Sequence, residues 1–380
     1  MRLYIDVTVL TLATFVTGIQ RVTREYAVRL ARDEAFDVVL LHYNASENAY
    51  HIINNQRFVD YYTGQKGRKE KMITREKFDF DRMKAGEIFF DLDAVWMGKV
   101  KRSYILPIIR SKGVKILAHI YDIIPITHPQ FCLERNVYNF MDYISSHLLY
   151  ADEIIVNAKA TEKQITGLCE KLDIACPQTE VIPLGANYGV NKKSVADSVP
   201  EKIKKAAEKP FVLMIGTIEP RKNHKMLLDA YDKGLKDIGF NIIMAGYMGW
   251  NMDKFKERLE NHPDYMNGVY HFEGLDDNSI SYLYENATCL AFLSYTEGYG
   301  LPIVEALSRN VPVIASDVEV LREVGGDSCL WVEEDNTDEL IKAVSSINQV
   351  KGEEKHDDIH AISWDECYSM LSDRILRMDK

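Results

Sequence analysis

The chain has 380 residues, 46% of them hydrophobic and 27% charged, with 46 Lys and Arg against 57 Asp and Glu for a net charge of −11. That length supports two hydrophobic cores. The acidic balance excludes a surface that attracts nucleic acid or anionic lipid as a whole, because counterion release needs concentrated basic charge, and it leaves only local patches. Six cysteines (Cys132, Cys169, Cys176, Cys289, Cys329, Cys367) form no C-x-x-C pair and no repeated spacing. They are expected to be buried apolar residues in a reducing compartment, with neither a disulfide framework nor a zinc site.

The apolar stretch from Val7 to Ile19 follows Asp6 and is too short to span a bilayer. It is expected to be a buried strand running into a loop. The chain is accordingly expected to be cytoplasmic, with any membrane contact peripheral, at the inner face.

Short apolar runs alternate with helical patterns, which predicts parallel sheet wrapped by crossover helices. In the first half the predicted strands are Arg2 to Val9, Val38 to Tyr43, Glu87 to Asp91, Lys115 to Tyr121, Glu153 to Val156 and Glu180 to Pro183. A helix from Arg21 to Ala31 presents Val22, Tyr26 and Leu30 at helical spacing. Between Asn44 and Ala85 the chain turns polar and Lys-rich without a clear period, and is expected to be a mobile excursion or a loop on the acceptor side.

From Tyr188 to Pro210 the chain is polar and charged, the best interdomain linker. Alternation then restarts. Strands are predicted at Phe211 to Ile218, Phe240 to Ala245, Val269 to Glu273, Cys289 to Tyr295 and Val311 to Ala315, and helices at His224 to Tyr231, Asn278 to Asn286 and Pro302 to Arg309. The expected fold class is α/β, two doubly wound domains with a site in the cleft between them, beyond the carboxyl ends of the strands.

The segment from Ser294 to Glu305, Ser-Tyr-Thr-Glu-Gly-Tyr-Gly-Leu-Pro-Ile-Val-Glu, places a strand, a two-glycine loop and a proline-started helix in succession. Gly298 and Gly300 permit close backbone approach, and Pro302 suits the helix start, whose free N–H groups can meet a phosphate. An isolated Gly-x-Gly is usually only a turn. Here Glu297 and Glu305 bracket the glycines at two levels, one placed for a reacting sugar and the other for a pair of hydroxyls. The pattern resembles the E-x7-E element of the retaining family 4 glycosyltransferases, which have the two-domain GT-B fold of Rossmann-like units. The resemblance implies that Glu297 contacts the donor sugar and Glu305 the nucleotide ribose, with Gly298, Tyr299, Gly300 and Leu301 completing that turn.

A second element runs from Gly216 through Thr-Ile-Glu-Pro to Arg221, Lys222 and Asn223, the last a credible N-cap. Arg221 offers a charged fork and Lys222 a point charge at a helix start. They stand where the family's diphosphate-binding Arg and Lys occur, which implies stabilisation of the leaving nucleoside diphosphate without a metal. No cofactor is expected.

Other positions rest on the resemblance alone. Phe272 and Gly274 match the strand end that lines the base, and Gly18 the glycine of the loop that approaches the donor phosphates, although position 20 is Gln where a second glycine is common. Tyr121-Asp122-Ile-Ile-Pro125 resembles a His-Asp-x-x-Pro loop with Tyr121 in place of the His, and His119 lies two residues deeper on the same strand face. Asp122 remains a polar group for the site. Ser363-Trp364 resembles the segment that returns toward the first domain. The resulting division is an acceptor-side domain at 1–190, a linker at 191–209, a nucleotide-sugar domain at 210–360 and a returning segment at 361–380.

The expected activity is retaining transfer of a sugar from a nucleoside-diphosphate donor to a hydroxyl of a saccharide or lipid-linked saccharide in polysaccharide biosynthesis. The resemblance tilts the donor toward GDP-mannose, with UDP- and dTDP-sugars open. Two rivals accompany it. Asp91 and Asp93 at a strand end form the Asp-x-Asp by which metal-dependent, single-domain glycosyltransferases hold a cation. The other is a nucleotide-sugar-binding partner subunit without turnover, raised by Tyr121.

Overall fold

The computed structural model describes residues 1–14, 17–64, 68–186, 198–349 and 362–378. They divide into two compact units, Met1–Leu184 with Trp364–Lys380, and Gly185–Ser363.

The first unit holds β1 (Arg2–Asp6), β2 (Asp37–Asn44), β3 (Ala49–Ile53), β4 (Ile73–Phe78), β5 (Ile88–Asp91), β6 (Lys115–His119), β7 (Glu153–Val156) and β8 (Gln178–Val181). Their order is β4-β3-β2-β1-β5-β6-β7-β8, so the direction of winding reverses between β1 and β5. Strand β1 ends three residues earlier than its hydrophobicity predicts. The Asp6 carboxylate accepts from the Thr8 N–H at 3.0 Å and its hydroxyl at 2.5 Å, turning the chain into the helix Thr8–Leu12.

The expectation of a loop at 44–85 is corrected. That segment supplies β3, the helix Asn55–Tyr62 and β4, and both strands pair antiparallel. In β4 the charged Arg75, Glu76 and Lys77 are exposed on a sheet edge, where charge blocks pairing with another chain. Its Lys-rich composition therefore marks an edge strand. The closing helix Trp364–Met378 belongs to this unit, with Tyr26 Oη 2.9 Å from Cys367 Sγ and Arg29 Nε donating to Asp365 at 3.1 Å.

The second unit holds β9 (Phe211–Ile215), β10 (Asn241–Ala245), β11 (Val269–Phe272), β12 (Cys289–Phe292), β13 (Val313–Ser316) and β14 (Cys329–Val332), all parallel in the order β11-β10-β9-β12-β13-β14. This is the Rossmann order, reversing between β9 and β12. Every residue of β10, β12 and β13 is buried, as a parallel sheet covered on both faces requires. Of the expected linker, residues up to 197 lie outside the described residues. Residues 201–206 form a helix of this unit, with Ile203 and Ala206 buried and the Ala206 carbonyl accepting from Asn241 Nδ2 at 3.2 Å. Among the described residues no helix is long and apolar enough to cross a membrane.

Candidate active site

Strands β9 and β12 are neighbours at the point where the order of the second sheet reverses, so the loops that leave their carboxyl ends meet. Leaving β9, the chain passes Gly216 at φ +135°, a one-turn helix over Pro220–Lys222, and Asn223 at φ +56°. The Asn223 side chain accepts from the Met226 N–H at 3.3 Å and so caps the helix His224–Ala230, the expected role. Leaving β12, the chain runs from Ser294 to Gly300. The two loops are stitched by the Tyr295 N–H donating to the Arg221 carbonyl at 2.9 Å. Asp335 ties both from the side, accepting from Tyr295 Oη at 2.6 Å and Asn223 Nδ2 at 3.0 Å.

Between these loops lies a buried cluster of four charges. Lys222 Nζ is 2.5 Å from Glu297 Oε1, Arg221 Nη1 is 2.6 Å from Glu297 Oε2, and Arg221 Nε is 2.7 Å from Glu219 Oε1. Ser294 Oγ donates to Glu297 at 2.8 Å, and Arg221 Nη1 also donates to the Thr296 carbonyl at 3.1 Å. Burial pushes the Glu297 carboxyl up, but the charges of Arg221 and Lys222 outweigh it and bring its pKa down to about 2. Burial likewise lowers Lys222, against the opposing pull of Glu297. The ammonium lies 4.7 Å from the Phe292 ring centroid. A side chain at Gly216 would sit 3.8 Å from Lys222 Nζ, so the bare glycine keeps open the space above that charge.

Expected residues Arg221, Lys222, Glu297 and Gly216 are thus brought together. Gly298 is buried and Tyr299 half-buried in the same loop. Gly300 adopts φ +112°, and the helix that follows is Leu301–Leu307, with Pro302 second rather than first. Within it Glu305 is buried and accepts from Tyr284 Oη at 2.9 Å. Gly274, at φ +64°, faces the Tyr247 hydroxyl. Phe272 is a packing residue, its buried ring 6.1 Å from Tyr270 and 5.8 Å from Lys202 Nζ.

Two contributors escaped the sequence reading. Glu219 holds the second face of the Arg221 guanidinium, and its proximity in the loop was the available signal. Gly246 follows β10, and a Cβ there would fall 1.9 Å from the Gly216 carbonyl oxygen.

Gly18 and Asp122 lie in the first unit. Gly18 opens the helix Gly18–Leu30, which Thr17 and Gln20 close with a reciprocal capping box, so Gln20 has a structural task of its own. Asp122 accepts from the Ile124 N–H at 2.9 Å. Tyr121 is buried, its hydroxyl donating to the Leu92 carbonyl at 2.7 Å and its ring stacked 4.3 Å from His119, which is itself buried beside Asn157 at 2.7 Å.

Asp91 and Asp93 have separate engagements. Asp91 takes both arms of Arg102, at 2.6 and 2.8 Å, and His147 at 2.8 Å. Asp93 accepts from the Leu10 and Ala94 N–H groups at 2.7 and 2.8 Å. The chain thus has two units where that rival needs a single domain, and Asp91 and Asp93 are engaged by different groups.

Residues 196–360 match the family described as glycosyl transferases group 1. The match falls within the second unit and covers less than half of the chain. The chain is 25% identical over 380 residues to the serotype-specific mannosyltransferase WbdA of Escherichia coli, an alignment covering 96% of this chain and 43% of WbdA. The chain thus spans less than half the length of that relative. It is 37% identical over 133 residues to the O-antigen chain mannosyltransferase B of Escherichia coli, covering 34% of each. Among solved structures, sucrose-phosphate synthase from Thermosynechococcus elongatus superposes with a TM-score of 0.69 at 16% identity, covering 100% and 99% of the two chains. Anabaena HepE, solved with UDP and glucose, gives 0.67 at 12% identity and 99% of each chain. The fold of the chain is GT-B, two units each built on a Rossmann-like sheet.

Proposed function

We propose that this chain is a retaining glycosyltransferase that moves a sugar, mannose from GDP-mannose in the favoured case, from a nucleoside-diphosphate donor to a hydroxyl of a saccharide or lipid-linked saccharide. The observation that carries the reading is the pairing of Arg221 and Lys222 on Glu297 where β9 and β12 diverge. Two cations fixed there before the donor arrives need little reorganisation to take up charge on a departing diphosphate, the largest electrostatic demand of the reaction. They supply in protein side chains what a divalent cation supplies elsewhere, which supports a metal-independent transfer. Glu297, ionised and anchored by three partners, is placed to orient the sugar and stabilise developing positive charge. The Escherichia coli mannosyltransferase relatives support mannose.

The test is thermal stability of the purified protein with UDP, GDP, dTDP, ADP or CDP, with and without EDTA. Ligand at 100 times its Kd adds about 2.7 kcal/mol. Stabilisation by GDP that survives EDTA, followed by mannosyl transfer from GDP-mannose, is the expected result. Stabilisation by none of the five removes the nucleotide site and the reading with it.

A further inference from the structure

The four charges around Glu297 lie at different depths. The Glu219 side chain is 4% exposed, Glu297 8%, Lys222 11% and Arg221 20%. The two carboxylates also grip different parts of the guanidinium. Glu219 takes Nε, at its root, at 2.7 Å, while Glu297 takes Nη1, at its tip, at 2.6 Å and gives its other oxygen to Lys222. An anion arriving from solvent therefore meets the tip of Arg221 and the Lys222 ammonium, and competes with Glu297 for both. Glu219, the deepest of the four, is outside that competition.

Glu219 is fixed from the backbone outward. Pro220 restricts the residue before it to extended backbone, and Glu219 sits at φ −138° and ψ 159°. Its carbonyl accepts from the Lys222 N–H at 3.0 Å, closing the turn from which Arg221 projects. On the other side the Ile218 N–H donates to the Tyr247 carbonyl at 2.9 Å, and the Ile218 carbonyl accepts from the Gly249 N–H at 2.8 Å. A Cβ at Gly249 would fall 2.8 Å from that carbonyl oxygen and 3.4 Å from Glu219 Cβ, so the loop leaving β10 is packed directly against this backbone. Charge alone gives Glu219 the wrong sign for an anion site. Glu219 and Glu297 balance Arg221 and Lys222, and a site without the Glu219 charge would attract a diphosphate more strongly.

We propose that Glu219 is a positioning residue: it keeps the Arg221 guanidinium facing the site while a diphosphate takes the place of Glu297 on Arg221 and Lys222. The inference rests on the nucleotide-sugar reading, and its probes separate the two. GDP and inorganic pyrophosphate, which carries the charge without a base, are titrated calorimetrically into the wild type, Glu219→Gln and Glu219→Met. Gln keeps an oxygen for the Arg221 Nε–H, whereas Met has similar size and offers none. Affinity for both ligands is expected to stay within about threefold of the wild type in Glu219→Gln and to fall roughly tenfold or more in Glu219→Met, as for loss of one hydrogen bond to a charged group. The Arg221 Nε–H NMR signal, assigned by its absence in Arg221→Lys, is expected to remain slow to exchange with water in the free and the pyrophosphate-bound wild type, which tests the hold without any change at position 219. A Glu219→Met variant that binds as tightly as the wild type or tighter, or an Nε–H signal lost on binding, overturns the proposal and leaves the nucleotide site standing. A protein that binds pyrophosphate through Glu219 but no nucleoside diphosphate supports the proposal and overturns the nucleotide reading, and one that binds neither overturns both.

Discussion

Lys222 Nζ lies 2.5 Å from Glu297 Oε1 although 75 residues separate them, and the same carboxylate holds Arg221 at its other oxygen. One buried anion therefore sets the position of both cations. Without it, two like charges would stand side by side in a site mostly shielded from water.

Glu297→Gln keeps the shape of the carboxylate and removes its charge. Transfer is expected to fall about 10²- to 10³-fold, as for loss of one preorganised electrostatic group, while nucleotide affinity stays within a few-fold. Single-turnover transfer and nucleotide titration check this, and an unchanged transfer rate would remove Glu297 from the site.

Arg221→Ala and Lys222→Ala are expected to lose both nucleotide binding and transfer. Each deletion also leaves Glu297 with a single cation, so the apo protein is expected to be destabilised, by up to ~3–5 kcal/mol where the remaining charge stays buried. Calorimetric titration with nucleotide separates the two effects.

The pH dependence follows from the depressed Glu297 pKa. Its contribution to stability is complete above the unfolded value of about 4.3 and is lost as pH falls toward about 2. The stability of Glu297→Gln should therefore fall less steeply than the wild type below pH ~4.5 and run parallel to it near neutrality. Urea midpoints across that range measure the difference. Parallel curves throughout would show that Glu297 is not held as an ion.

Arg102→Met in the first unit leaves Asp91 and Asp6 buried without their cation. The expected cost is ~3–5 kcal/mol, seen as a lower unfolding midpoint with nucleotide affinity unaltered for whatever native protein remains.

Gly246→Ala puts a methyl group 1.9 Å from the Gly216 carbonyl oxygen. The loop leaving β9 has to shift, and nucleotide affinity should fall although Gly246 carries no side chain to bind anything. Retained affinity would mean that this loop moves freely.

Local sequence determined what local physics controls. The β/α alternation of the second unit follows from buried apolar runs, the Asn223 cap from its side-chain oxygen, and the turn at Gly300 from a backbone angle that glycine tolerates. Arg221, Lys222, Glu297 and Glu305 were singled out on motifs that resemble a family's, and the structure brings Arg221, Lys222 and Glu297 into contact. What depends on distant partners was decided only by the tertiary structure. Composition made 44–85 a loop, yet strand pairing satisfies its backbone and makes it a sheet edge. The helix Arg102–Ser111 was hidden by Pro107 within it. Asp91 and Asp93, alike and two residues apart, went to an arginine and to backbone amides because the strand ends at Asp91 and Asp93 lies in the loop beyond it, outside the pleat that would put both on one face. The second hold on Arg221 by Glu219 joins near neighbours in the chain, yet only the folded loop turns the two side chains together. Periodicity reports which face a side chain takes, and only the packed fold reports which charge it meets there.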